Sequence, residues 1–214
     1  MNFVDPKLEA FCESRSSLPS GNCQALAAYT ESNVPRSIML SGPLVASFLG
    51  LLARVSGARN VLEIGCYTGY SALALAENLP PDGSVITLDI DEKNGEIARR
   101  FWAMSPHGKK IELILGPAQA TLEKLSGPFD MVFIDADKPG YINYVKTVLP
   151  KLSRRGVIVA DNSLFFGQVL DENSEGNGKA MREFDDWVAA QPNLYKTLLP
   201  VRDGLNLISL KESA

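Results

Sequence analysis

The most constraining feature of this sequence is the alternation, after residue 57, of short apolar runs with longer amphipathic stretches. Runs rich in Val, Ile and Leu are typical of strands, and here they are separated by segments with helical spacing of apolar residues. Because the runs are almost continuously apolar, they predict a parallel sheet covered by helices on both faces. The predicted strands are Asn60–Ile64, Ser84–Leu88, Ile111–Leu115, Met131–Ile134 and Gly156–Val159.

The remaining segments complete an α/β pattern. Two further apolar runs, Tyr195–Val201 and Leu205–Leu210, are separated by three residues, which predicts an antiparallel hairpin. The fold class is therefore a doubly wound, Rossmann-like sheet of about seven strands, mostly parallel, with a C-terminal antiparallel hairpin. The predicted helices after residue 57 are Tyr70–Asn78, Glu92–Met104, Ala118–Leu125, Tyr141–Leu149 and Gly178–Ala190.

The first 57 residues differ from the rest in having only helical patterns. They predict helices with a break at Pro35 and an apolar helix from Ser41 to Val55. Since no repeat or Gly/Ser-rich linker separates them from the rest of the chain, we expect a single domain. In it, the helical segment 1–57 packs on a core formed by residues 58–214.

Composition limits the classes of partner. A net charge of −4 without a basic cluster argues against a nucleic-acid partner. The longest apolar stretch, Leu44–Ala53, is too short to cross a bilayer, and the N-terminus has no targeting pattern. Three cysteines without CxxC spacing argue against a disulfide scaffold or a zinc site. We expect a soluble, cytoplasmic protein.

The turn after the first strand reads EIGCYTGYS, from Glu63 to Ser71. Its two glycines, spaced GxxxG rather than the GxGxxG of dinucleotide enzymes, allow a ligand to approach the backbone. Glu63 suits a ligand with positive charge or hydrogen-bond donors, and Ser71 suits a carboxylate. The alternative is a tight turn that binds nothing.

The next two strand ends extend the same candidate site. Asp89, directly after the second strand, is placed to accept the two hydroxyls of a ribose, as acids do at this position in doubly wound sheets. Asp91 is better placed than Asp89 to cap the following helix. At the third strand, Ala118 begins a helix whose backbone amides can meet an adenine edge.

The sharpest chemistry follows the fourth and fifth strands, which read FIDADK and VADN at their ends. Neighbouring parallel strands would bring Asp135 and Asp161 together, with the amide oxygen of Asn162 beside them. Such an all-oxygen set suits a hard divalent cation, Mg²⁺ first, with Ca²⁺ or Mn²⁺ as alternatives. The competing interpretation is that Asp161 and Asn162 form a turn and Asp137 caps a helix.

Lys138 lies three residues after Asp135. A cation beside it would lower its proton affinity, so that it could take a proton from a substrate hydroxyl. The alternative is a surface lysine that pairs with Asp137. Phe165, Phe166 and Tyr141 are either apolar walls around an aromatic substrate or ordinary packing residues.

Taken in order, these motifs resemble the cation-dependent O-methyltransferases, the caffeoyl-CoA and catechol O-methyltransferase-like enzymes, and especially their small bacterial members. The resemblance runs from Ile38 to Leu210 and includes the Asp203–Leu205 triplet of the hairpin. It implies a seven-stranded methyltransferase fold and a homodimer. It also implies a metal site of Asp135, Asp161 and Asn162, Lys138 as general base, and S-adenosylmethionine contacts from Ser41, Glu63, Gly65, Cys66, Ser71, Asp89, Ala118 and Asp137.

The resemblance is incomplete on the acceptor side. Phe166 stands where the plant enzymes have a substrate-contacting Asn, which argues against caffeoyl-CoA as the acceptor. The expected reaction is methylation of a small vicinal-dihydroxy aromatic. Two other functions compete: a nicotinamide-dependent oxidoreductase, which would need a GxGxxG turn, and a noncatalytic S-adenosylmethionine-binding protein, in which the metal set or Lys138 should have decayed.

Overall fold

The computed structural model of the chain describes residues 4–211 and contains the predicted mixed sheet. Its strand order is β3-β2-β1-β4-β5-β7-β6, with β1 to β5 parallel and β7 antiparallel to both of its neighbours. The predicted fold class is confirmed. The strands are β1 Asn60–Ile64, β2 Ser84–Asp89, β3 Ile111–Leu115, β4 Phe129–Ile134, β5 Leu152–Asp161, β6 Leu194–Leu199 and β7 Leu205–Leu210.

Helices cover both faces of the sheet, and their ends follow local chemistry. Asp91 caps α5 by accepting the backbone N–H groups of Lys93 and Asn94, as predicted. The break at Pro35 is also confirmed: α2 ends at Asn33, and Val34, directly before the proline, is extended. The helices are α1 Pro6–Glu13, α2 Gly21–Asn33, α3 Gly42–Ser56, α4 Tyr70–Asn78, α5 Glu92–Trp102, α6 Ala118–Lys124, α7 Tyr141–Val148 and α8 Gly176–Ala190.

The core has two layers, one on each face of the sheet. Along β4, Met131 and Phe133 belong to the layer packed against α3 and α4, whereas Val132 and Ile134 belong to the layer beneath α7 and α8. Burial on both faces explains why Met131–Ile134 in this strand is an uninterrupted apolar run. It also holds the carboxyl end of β4, where the candidate site begins, between two packed layers.

The connection between the last two strands differs from the prediction. Strand β6 ends at Leu199, so the hairpin loop has the five residues 200–204 rather than three. Pro200 has no N–H to donate and therefore ends the pairing. Because β7 lies between β5 and β6, this loop is beside the end of β5 and next to Asp161.

The apolar segment around α3 is longer than the sequence suggested. Together with a preceding 3-10 turn, Ser37–Ser56 has 20 residues and a mean hydropathy of 1.8, sufficient by length and composition alone to cross a membrane. However, Val45, Leu49 and Ala53 on its inner face are buried in the core layer shared with α4. Leu51 and Val55 on its other face are exposed, so the helix packs on the core along one face only, and the cytoplasmic location stays a prediction.

Candidate active site

The carboxyl ends of β4 and β5 bring the predicted charged residues together. Ile134 pairs with Ala160 in the sheet, so that Asp135 and Asp161 follow side by side. The Lys138 ammonium joins the set by donating to Asp135 Oδ1 at 3.1 Å and to Asn162 Oδ1 at 2.7 Å. The convergence predicted from the two strand ends is therefore present.

Lys138 is not the surface lysine of the alternative interpretation. It is 8% exposed, and its third partner is the Tyr141 hydroxyl at 2.7 Å. Asp137, the pairing partner proposed in that interpretation, instead accepts a 2.5 Å hydrogen bond from the Tyr144 hydroxyl. Nor does the Asp137 side chain cap the short helix that follows it.

Tyr141 has a role that the sequence reasoning missed. It is fully buried, with its ring edge-on to Phe184, so it does not form a wall of a substrate pocket. Its hydroxyl lies 3.2 Å from the carbonyl oxygen of Asp161 and accepts from Lys138. The i,i+3 spacing of Lys138 and Tyr141 is the signal that could have indicated this contact.

Electrostatics at the two strand ends favour additional positive charge. Burial, and then the neighbouring Asp135 carboxylate, raise the pKa of Asp161, whereas Lys138 counteracts the shift. Lys138 pairs directly with Asp135, and with Arg202 it offsets only part of the rise in the Asp161 pKa, in a region largely shielded from water. Buried charges of one sign need a cation close to them.

The donor set fits a hard cation. Asp135, Asp161 and Asn162 offer only oxygen atoms, which Mg²⁺ and Ca²⁺ prefer, and water or substrate oxygens can complete the shell. Within residues 4–211 no group of three His, Cys, Asp or Glu side chains could hold a metal. The predicted set has two carboxylates and an amide, so it is not a group of that kind, and the cation stays a prediction.

A small pocket beside this set collects half of the predicted cofactor residues. Ser41 reaches it from the start of α3, and Ser71 from the first turn of α4. Leu40 and Tyr70 also line it. Its predicted members are Ser41, Gly65, Cys66 and Ser71, together with Asp135.

Glu63 lies close to Ser71, a residue of that pocket, whose side chain helps to lower the Glu63 pKa. Its side chain is fully buried, Thr87 donates to Oε2 at 2.5 Å, and Oε1 has no hydrogen-bond partner among the described residues. Burial raises its pKa to about 8. Because a buried acceptor without a partner is costly, Glu63 fits a ligand that brings a positive charge or an N–H group.

Asp89, Ala118 and Asp137 lie outside the small pocket. Asp89 Oδ2 accepts the backbone N–H groups of Cys66 and Tyr67, at 3.0 and 2.7 Å, and Oδ1 accepts those of the two residues that follow Asp89. Asp89 therefore ties the turn after β1 to the end of β2. Its predicted contact with a ribose stays a prediction, as do the contacts of Ala118 and Asp137.

The glycines of the first turn serve internal packing. At Gly65, with φ +101°, a Cβ atom would lie 2.1 Å from the Asp135 carbonyl oxygen. At Gly69 it would contact the Trp102 ring at 2.6 Å. Close approach of Asp135 and of α5 is thus sufficient to require glycine at these two positions, and the approach of a ligand inferred from the sequence stays a prediction.

A larger groove of about 860 Å³ lies next to the small pocket. It runs between α1 and the hairpin loop and reaches Asn162 and Phe166. Phe166 is 44% exposed and packs edge-on against Phe165, which fits a wall of this groove. The groove and the small pocket share Leu40 and Tyr70, so they are adjacent; Asp135 lines the pocket and Asn162 lines the groove.

Comparison with known proteins assigns this arrangement to a family. A family model described as O-methyltransferase matches residues 13–211. The caffeoyl-CoA O-methyltransferase of Petroselinum crispum is 37% identical over 186 residues, which cover 81% of this chain and 77% of the relative.

Solved structures agree. An SAH-bound methyltransferase of Podospora anserina has a TM-score of 0.90 at 32% identity, covering 97% of this chain and 95% of that chain. An O-methyltransferase of Bacillus cereus in complex with SAH has a TM-score of 0.86 at 29% identity, covering 96% and 97%. The resemblance inferred from the motifs is confirmed, and the chain belongs to the O-methyltransferase family.

Proposed function

We propose that this O-methyltransferase transfers the methyl group of S-adenosylmethionine to one hydroxyl of a vicinal-dihydroxy aromatic molecule, with the help of a divalent cation. The observation that carries the proposal is the position of the Lys138 ammonium, which contacts Asp135 of the small pocket and Asn162 of the groove. Donor and acceptor can thus be held on opposite sides of one basic group.

The donor half is assigned to the small pocket. Glu63 would accept from the amino group of S-adenosylmethionine through its unpartnered Oε1, and Ser71 lies in the same pocket for the carboxylate. The similar structures from Podospora anserina and Bacillus cereus are complexes with SAH, the demethylated product. When bound, S-adenosylmethionine supplies an electrophilic methyl on a positively charged sulfur.

Asp135, Asp161 and Asn162 would hold the cation, whose positive charge favours the ionised form of a neighbouring hydroxyl. Phe166 would lie against the aromatic ring of the acceptor in the groove.

Lys138 handles the proton. In its neutral form it would accept the proton of the reacting hydroxyl, and the oxygen would take the methyl group that bound S-adenosylmethionine supplies, leaving SAH. The resulting ammonium is held by Asp135 and by the Tyr141 hydroxyl. Holding both reactants in line, rather than new chemistry, would supply much of the rate gain.

The competing functions receive less support. Family membership and the GxxxG turn argue against a nicotinamide-dependent oxidoreductase. A noncatalytic binding protein is disfavoured because Asp135, Lys138, Asp161 and Asn162 are all present, and Lys138 contacts Asp135 and Asn162. A homodimer, Mg²⁺ as the cation and the absence of nucleic-acid and membrane partners stay predictions.

The proposal is tested with labelled S-adenosylmethionine, Mg²⁺ and matched acceptors. Catechol and 4-methylcatechol should become methylated, whereas phenol and 4-methylphenol, which lack the second hydroxyl, should react at least about 100-fold more slowly. Calorimetry with S-adenosylmethionine and NADH runs in parallel. Equal rates for catechols and monophenols would contradict the acceptor class, and binding of NADH alone would overturn the methyltransferase assignment.

A further inference from the structure

The loop that follows β5 is held in an unfavourable backbone conformation. Asn162, Phe165 and Phe166 have φ values of +59°, +37° and +54°, in the left-handed region that side chains disfavour. Such conformations persist only where surrounding contacts compensate for their cost. The loop carries a predicted cation ligand, Asn162, at one end and a wall of the groove, Phe166, at the other.

Asp203, in the hairpin loop, provides those contacts. Its Oδ1 accepts the Phe166 N–H at 2.6 Å, its Oδ2 accepts Asn162 Nδ2 at 3.3 Å, and its carbonyl oxygen accepts the Leu164 N–H at 2.9 Å. Gly204 lets the two loops approach, because a Cβ atom there would lie 2.5 Å from Leu164 Cγ. A single residue thus holds both ends of the strained segment.

The contact with Asn162 also decides which way its amide points. An ionised carboxylate accepts hydrogen bonds and cannot donate them, so it can bind only the Nδ2 end of the amide. The opposite end, Oδ1, is then turned to Lys138, from which it accepts at 2.7 Å. If the amide were reversed, an N–H group would face the ammonium and any bound cation.

We propose that Asp203 is a positioning residue: it fixes the Asn162 amide with its oxygen toward the cation site and holds Phe166 in the groove. The inference rests on the proposed function, because it assigns Asn162 to the cation. Partners that orient metal ligands in this way typically change metal affinity by about 10- to 100-fold when they are replaced.

The first test is the variant Asp203→Asn, studied with SAH and Mn²⁺ and without acceptor. Asparagine has nearly the same shape, but its NH₂ group either leaves Phe166 unpaired or faces the donor end of Asn162. We expect Mn²⁺ affinity, measured by electron paramagnetic resonance, to fall by about 10- to 100-fold. Asp171→Asn is the matched control, since Asp171 is an exposed loop acid whose carboxylate likewise accepts a backbone N–H, and its affinity should be unchanged.

The exchange variant Asn162→Asp with Asp203→Asn separates orientation from loop stability. Residue 203 then donates to residue 162, whose two carboxylate oxygens are equivalent, so the orientation problem disappears. We expect Mn²⁺ affinity to return to within about threefold of the unaltered protein. The exchange variant also decides the case if Asp203→Asn does not fold.

The outcomes distinguish the two levels of the proposal. Mn²⁺ affinity that survives Asp203→Asn, or a folded exchange variant that does not regain it, would overturn the positioning role alone. An unaltered protein that neither binds Mn²⁺ nor methylates catechols would overturn the proposed function and this inference with it.

Discussion

The two halves of the sheet edge hold their acids in different ways. At the ends of β1 and β2, Asp89 is surrounded by backbone N–H groups, and Glu63 is buried with one oxygen unpaired. At the ends of β4 and β5, Asp135 and Asp161 lie side by side, and the cation beside them is the Lys138 ammonium.

The difference shows what each half can bind. Backbone amides have a fixed geometry, so the β1–β2 half presents a pre-formed shape with one free acceptor, suited to a single organic ligand. The β4–β5 half depends on mobile side-chain charge that a metal ion or a substrate can replace. Its charge balance should therefore respond to divalent metals, whereas the β1–β2 half should not.

Removal of divalent cations should separate the halves most strongly. Thorough chelation is expected to lower catechol methylation by on the order of 10³-fold, because charge stabilisation of several kcal/mol is lost. Affinity for SAH, measured by calorimetry, should stay within about twofold. Added Mg²⁺ should restore the rate. A methylation rate that persists after chelation would contradict the expectation that the β4–β5 half depends on a metal ion.

Lys138→Met tests the ammonium itself. Loss of the general base should lower kcat by about 10²-fold. Mn²⁺ affinity should hold or increase, since the ammonium no longer competes for Asp135 and Asn162. Parallel losses of kcat and of Mn²⁺ affinity would instead indicate a structural role. Lys146→Met, on the neighbouring helix α7, is the control and should change neither quantity.

Glu63→Gln tests the free acceptor of the β1–β2 half. The variant should weaken SAH binding about 10- to 30-fold, because a hydrogen bond to a charged group is lost. It should also change the pH dependence of stability. Burial raises the Glu63 pKa from 4.5 to about 8, so its contribution to stability is present below pH 4.5 and is lost as the pH rises through 8.

The direction of this pH dependence can be checked by comparing the unaltered protein with Glu63→Gln at two pH values. Without cofactor, the melting temperature of the unaltered protein relative to Glu63→Gln should be higher at pH 5 than at pH 9. A melting-temperature difference that does not change with pH would contradict a raised pKa of the buried Glu63 carboxyl.

Asp89→Ala and Asp91→Ala should differ least, and only in how much stability each variant loses. Asp89 holds the turn after β1, so we expect its loss to cost about 2 kcal/mol of unfolding free energy, roughly 5 °C in melting temperature. Asp91 caps α5, so its loss should cost about 1 kcal/mol. Chemical denaturation of both variants gives the order, and a reversed order would mean that Asp89 does not hold the turn.

Much of the fold was predictable because buried strands and amphipathic helices have distinct apolar periods. The runs at Asn60–Ile64 and Ile111–Leu115 match the observed strands to the residue. The length of the hairpin loop was not predictable in this way. Val201 continues the apolar run in the sequence, but the pairing has already ended before Pro200. The strand propensity of single residues does not take into account that Pro200 lacks a backbone N–H.

The candidate site was predictable where it lies at strand ends. Asp161 ends β5, and Asp135 and Asn162 follow β4 and β5, whose adjacency comes from the parallel order. Tyr141 and Asp203 were not assigned their contacts, because these depend on the exact placement of a helix turn and of the hairpin loop. Tertiary contacts of that kind leave no local pattern.

The most direct test of a cation site at the ends of β4 and β5 is anomalous diffraction from crystals grown with Mn²⁺ and SAH. One peak should lie within coordination distance of oxygen atoms from Asp135, Asp161 and Asn162, with Lys138 Nζ displaced from at least one of its present partners. A map in which Mn²⁺ binds elsewhere, while the Lys138 ammonium still bridges Asp135 and Asn162, would contradict it.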